Sequence, residues 1–270
     1  MYFSYKSIVK KIECSEKLIL NDADILSYGN KRICYYHAKK PSKLIKISRD
    51  PKHWKEGHKQ SLTEWYVSEK VKSAEEECPI SLCHHWINTD KGPGLLVDRI
   101  SDVKGESRTL RSLLFKRELT VKKAIDLVEE TIQIFSAFGI PASDFNIDNF
   151  ILDGAHDEYK IVMVDGFSPK KTNFKTYLLL NSSVLATLYA KRKWRLIKDK
   201  FIYCAQKVYA GDYNFAAAMP WLYRHGANPP ALVDAIFCRR RMDWGGLKAA
   251  LGPTCQCPLS QNVALVAVAA

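Results

Sequence analysis

Apolar positions near the start of the chain come in short alternating runs. Residues 17 to 37 and 43 to 48 ("KLIKIS") carry them, broken by turn residues at Tyr28, Gly29, Asn30 and Pro41, and this predicts β-hairpins. The period then lengthens. In "HKQSLTEWYVSEKVKS" (58 to 73), Leu62, Trp65, Tyr66 and Val67 recur at helical spacing with charges on the other side, which predicts an amphipathic helix. A loop containing Pro79 follows, then "GLLVDRI" (94 to 100), a short apolar run that reads as a buried strand. "SRTLRSLLFKREL" (107 to 119) and "TVKKAIDLVEETIQIFSAFG" (120 to 139) read as helices, the second with Thr120 as N-cap and Gly139 as C-terminal stop. "NFIL", the polar turn "DGAHDE" and "YKIVMVDGF" predict a hairpin, and a further helix follows it. The expected class is α+β, with a small sheet-rich lobe (1–100), a helical lobe (101–210) and a cleft between them.

Length and composition set the limits. A chain of 270 residues with 47% hydrophobic residues can bury a full core in one domain or two small lobes. No apolar run approaches the roughly 18 residues that span a bilayer, so a transmembrane segment is not expected and a cytoplasmic location is. The eight cysteines form no framework of the kind found in short secreted chains and are expected to be reduced thiols. The formal charge of +12 is spread over "YKSIVKK", "HAKKPSKLIK", "SPKKTNFK" and "AKRKWRLIKDK". That distribution reads as a solvated basic surface, and the absence of a reading helix or stacking platform argues against nucleic acid. From about residue 211 the composition turns to Ala, Gly and Pro, marking 211–270 as an unassigned extension.

The chemistry gathers in "IPASDFNIDNFIL" (140 to 152), where Asp144, Asp148 and Asn149 lie between the long helix and the hairpin. A hairpin fold brings Asn149 toward Asp165 at the end of its second strand, so two oxygen ligands would meet. Magnesium takes one or two protein oxygens plus substrate phosphates, and Asp144 is then left to accept or orient a hydroxyl proton. Upstream, Lys46 lies in an apolar strand where its charge needs a partner; Glu64 on the following helix can supply one, and nucleotide phosphates another. "CPISLCHHW" (Cys78, Cys83, His84, His85) and "CQC" (Cys255, Cys257) have no familiar zinc spacing.

"SDFNIDNFIL" matches the protein-kinase catalytic-loop pattern D-x-x-x-x-N, "VMVDGF" stands where D-F-G stands, and "LIKIS" matches V-A-I-K. With "YGNKRICYYHAKKPSKLIKIS" and "TEWYV", these segments resemble the bacterial PhoP regulatory network protein YrbL family, over residues 20 to 205. The resemblance implies a two-lobed protein-kinase-like fold and ATP- and magnesium-dependent phosphoryl transfer to a protein or small-molecule hydroxyl. Under it Lys46 holds the nucleotide phosphates, Glu64 fixes Lys46, Gly29 lies near the tip of the glycine-rich loop, Asp144 is the catalytic base, and Asn149 and Asp165 bind Mg2+. Departures from the kinase pattern are Ala142 and Ser143 in place of His and Arg, Asn146 in place of Lys, the order Asp165, Gly166, Phe167, and no A-P-E segment. The alternative they leave open is a pseudokinase that binds nucleotide or a regulatory partner without catalysis.

Overall fold

The computed structural model describes residues 16–29, 31–49, 54–72, 77–154, 159–169 and 173–212. The chain divides at Gly211, with 1–211 in one unit and 212–270 in another. Asn30, Cys255, Cys257, the basic run "YKSIVKK" and nearly all of 211–270 lie outside the described residues.

The first part of the chain builds a five-stranded antiparallel sheet in the order β1-β2-β3-β5-β4. Its strands are β1 (Ile25–Tyr28), β2 (Arg32–Tyr36), β3 (Lys43–Ser48), β4 (Cys83–Ile87) and β5 (Gly94–Asp98). The central strand β3 is covered on both sides, with Leu44, Ile45, Lys46 and Ile47 all buried. Alternation along the strand sends Ile45 and Ile47 into a cluster with Leu20, Tyr35 and Leu96, and Leu44 and Lys46 to the opposite face. Register fixes which side chains share that second face: Lys46 is opposite Cys34 on β2 and Leu95 on β5, and Arg32 is opposite Ser48. Two charged residues therefore lie on one buried sheet face.

Helix α1 (Trp54–Lys72) lies against β3 and β4 on that face. Periodicity predicts this helix, but of the expected stripe only Val67 is fully buried. Leu62, Trp65 and Tyr66 are half-buried, whereas Ser61, Glu64, Val67, Ser68 and Val71 are buried. Spacings of three and four put those five on one face, where Ser61 and Glu64 meet the Arg32 and Lys46 that the sheet presents. The loop containing Pro79 is present, but a strand that was not expected follows it. Cys83–Ile87 is the edge strand β4, anchored by a hydrogen bond from the Cys83 amide to Ser68 Oγ (3.0 Å).

The helical part begins with α2 (Leu110–Phe115), shorter than the segment 107 to 119 because Arg117 turns left-handed at φ 57°. Helix α3 (Val121–Phe138) has the expected ends: the Thr120 side chain accepts from the Lys123 amide, and Gly139 closes it at φ 61°. The hairpin β6 (Phe150–Asp153) and β7 (Lys160–Met163) pairs Phe150 with Met163 and Asp153 with Lys160. Two helices follow where one was expected, α4 (Phe174–Asn181) and α5 (Ser183–Tyr209), because Ser182 breaks the first and caps the second. The architecture is α+β, an antiparallel sheet followed by helices. Among the described residues no helix is long and apolar enough to cross a membrane.

Candidate functional site

Glu64 is the hub of a buried polar cluster between the sheet and α1. Its carboxylate is fully enclosed and accepts a two-pronged pair from Arg32, Nη1 to Oε2 and Nη2 to Oε1, each at 2.7 Å. Lys46 Nζ adds a contact to Oε2 at 3.3 Å, and Gln60 Nε2, one helical turn earlier, donates to Oε1 at 3.2 Å. An isolated carboxylate cannot be buried ionised, and two cations from adjacent strands on one carboxylate resolve that conflict. Burial, the largest single effect, would lower the Lys46 ammonium's pKa, but the Glu64 and Asp165 charges together prevail and leave Lys46 above its ordinary value.

The second carboxylate arrives from the far end of the chain. Asp165 follows β7, and its Oδ1 accepts from Arg32 Nη2 (3.0 Å) and Gln60 Nε2 (2.7 Å). Burial by itself would raise this carboxyl's pKa; the charges of Arg32 and Lys46 prevail and hold it well below the usual carboxylate range. Its side chain is 41% exposed, whereas Glu64 is closed to water. Lys46 Nζ also donates to the Val164 carbonyl (2.7 Å), tying the Asp165 segment to the central strand. Thr63 on α1 holds the next residues, its hydroxyl 3.0 Å from that of Ser168.

The loop 140 to 149 closes the other side. The Val164 amide donates to the Asn149 carbonyl (2.8 Å), extending the hairpin ladder by one step and setting Asn149 beside the segment that carries Asp165. Asn149 Nδ2 donates to the Asp144 carbonyl at 2.8 Å, so the two ends of the D-x-x-x-x-N stretch are joined. Both the Ser143 and Asp144 amides point at the Gly166 carbonyl (2.8 and 3.3 Å). Lys46, Glu64 and Asp165 are thus in one bonded network, with Asp144 and Asn149 on the loop that abuts it. Gly29 lies in the β1–β2 turn, where its amide donates to the Arg32 carbonyl (2.8 Å).

Asp148 is drawn elsewhere. Arg111 on α2 takes both its oxygens, at 2.6 and 2.7 Å, so this acid braces the loop against the helix rather than joining the cluster. Arg32 and Gln60 are the members that sequence reading missed. Their only signals were a charge inside the strand "RICYY" and an amide four residues before Glu64.

The surroundings narrow the chemistry. Burial, with the Glu64 charge adding to it, pushes the Cys83 thiol up to about 12, so it stays protonated and is no nucleophile. Cys34, Cys78, Cys83 and Cys204 are free thiols, and the described residues contain no group of three or more His, Cys, Asp or Glu that could hold a metal. A cation at this site would instead need oxygens from Asp165 and Asn149 and from a ligand.

The model of the PhoP regulatory network protein YrbL family matches residues 18–201. The chain belongs to this family. The match spans the sheet, α1, the Glu64 cluster, the 140 to 149 loop, the hairpin and most of α5, and it ends before the 211–270 extension. No curated protein matches the chain.

Proposed function

We propose that this YrbL-family chain has a two-lobed protein-kinase-like fold, and that its Glu64 cluster is the nucleotide end of a phosphotransferase site using ATP and Mg2+. The phosphoryl acceptor is a protein or small-molecule hydroxyl. The observation that carries this reading is the buried Lys46–Glu64 pair bonded through Arg32 and Gln60 to Asp165, with Asp144 and Asn149 on the adjoining loop. Lone pairs of acids and bases are common on protein surfaces, but an ionised cluster at this depth is not.

The residues present fit a divalent ion. Asp165 and Asn149 are hard oxygen donors, and the Asp165 carboxylate is reachable from solvent at 41% exposure. When bound, MgATP supplies the transferable phosphoryl group and neutralises its charge. Glu64 holds the Lys46 ammonium in the strand, ready to meet phosphate oxygens. Asp144, on the loop that abuts this network, orients the acceptor hydroxyl and takes its proton. On this reading the protein works in the cytoplasm, where ATP is present and thiols stay reduced.

One observation favours a second reading, nucleotide or partner binding without catalysis: the Asp165 oxygen is already engaged by Arg32 and Gln60. A melting curve with and without ATP and magnesium tests what both readings share. Nucleotide at about 100 times its dissociation constant stabilises a fold by about 2.7 kcal/mol. Asp165→Ala is expected to remove the magnesium-dependent part of that shift, and no shift at millimolar ATP would overturn the phosphotransferase reading and the nucleotide arm of the second.

A further inference from the structure

Arg32 stands between two carboxylates that hold it unequally. Toward Glu64 it is forked, with two bonds of 2.7 Å into a fully buried carboxylate and a further bond from Nη1 to Ser61 Oγ at 3.3 Å. Toward Asp165 it makes one bond, from Nη2 at 3.0 Å, to a carboxylate that is 41% exposed. Arg32 itself is only 5% exposed, at the start of the interior strand β2, so it cannot leave as a surface side chain would.

The two halves differ in what it takes to break them. Releasing Glu64 would leave a buried carboxylate short of its two best donors, which is strongly unfavourable. Releasing Asp165 gives up one hydrogen bond, and water can replace it. A divalent ion that takes Asp165 must meet this guanidinium charge on the same side chain.

We propose that Arg32 is a resident counter-cation for Asp165, displaced from it when a divalent ion binds while the Arg32–Glu64 fork stays closed. The inference rests on the reading of Asp165 as a cation ligand and adds the competitor that sets its affinity. It also gives the second donor a purpose. Gln60 bridges the same two carboxylates with the opposite preference, 2.7 Å to Asp165 and 3.2 Å to Glu64, so Asp165 stays tethered to α1 after Arg32 lets go.

The test is direct binding of Mn2+ to the full chain without nucleotide, read from the electron spin resonance signal of the free ion, with ADP added in a second series. Arg32→Gln is expected to bind Mn2+ about two- to fivefold more tightly than wild type, the equivalent of one partly exposed ion pair. Adding Asp165→Asn is expected to abolish the gain. Since Arg32→Gln removes charge beside buried Glu64 and can impair folding, Arg32→Lys is measured alongside. It keeps a cation for Glu64, but its single nitrogen cannot fork across both carboxylates, so it too is expected to bind more tightly. If the folded variants bind Mn2+ no more tightly than wild type, Arg32 is not a competitor and the inference is overturned while the cation site stands. If neither wild type nor variant binds Mn2+, with or without ADP, the cation reading of Asp165 falls and this inference with it.

Discussion

Gly166 and Asp144 are in backbone-to-side-chain contact, with no room between them for a single added carbon. A Cβ on residue 166 would lie 2.5 Å from Asp144 Cβ, and the backbone there is left-handed at φ +82°. Glycine meets both demands at once, having no Cβ to clash and no penalty for positive φ. The residue after Asp165 thereby sets how closely the Asp144 loop approaches the cluster. Gly166→Ala is expected to destabilise the fold by about 1–3 kcal/mol, the range for a strained backbone position, and to weaken any ligand response that needs Asp144. Urea denaturation and the nucleotide-dependent melting shift, measured on the same sample, check both parts.

Glu64 and Asp148 are two acids paired with arginine, and they are expected to differ sharply in what they contribute. Glu64 is closed to water with Arg32 and Lys46 around it; Asp148 is 34% exposed and its partner Arg111 19%. Glu64→Leu strands two buried cations and is expected to cost about 3–5 kcal/mol, whereas Asp148→Asn is expected to cost about 0.2–1 kcal/mol. Denaturation midpoints decide it, and near-equal losses would contradict the burial argument.

Asp144 and Lys46 separate chemistry from binding. If Asp144 takes the acceptor proton, Asp144→Asn leaves ATP affinity nearly unchanged and lowers phosphoryl transfer by roughly 10² to 10⁴, the range for a positioned general base. Lys46→Ala is expected to weaken both, because the ammonium touches the phosphates before and during transfer. Labelled-phosphate transfer and ADP release, including autophosphorylation, are the measurements. A wild type that binds ATP but turns over no faster than Asp144→Asn would leave the reading without catalysis.

His58 gives a prediction for pH. It is 6% exposed, its ring packs edge-on to Trp86 with centroids 6.1 Å apart, and burial lowers its pKa below the ordinary 6.5. The folded state therefore resists the proton that the unfolded chain accepts. Stability from this group is complete above the unfolded value near 6.5 and is lost as pH falls from there through the lowered folded value. Replacing His58 with Gln is expected to flatten the fall in melting temperature between about pH 7 and 5. An unchanged slope would show that His58 does not carry the loss.

Local order was written into the sequence. Alternation marked β3, the Thr120 cap and Gly139 stop bounded α3, and the polar turn between two apolar runs marked the hairpin at 150 to 163, because each of these depends on neighbours a few residues away. The order of Lys46, Glu64, Asp144, Asn149 and Asp165 was legible too, since the motifs that hold them are short. Tertiary structure decided which polar residues meet. Arg32 lies 133 positions from Asp165 and Lys46 lies 118 from Val164, and no spacing rule reaches so far. It put Ser61 and Glu64 beside Val67 and Val71 on the buried face of α1, where Trp65 and Tyr66 were expected, because the sheet opposite presented two charges. It also carried Asp148 to Arg111 and brought Gln60 and Arg32 into the cluster. A charge inside a strand or helix states only that a partner is needed, and the fold supplies which one.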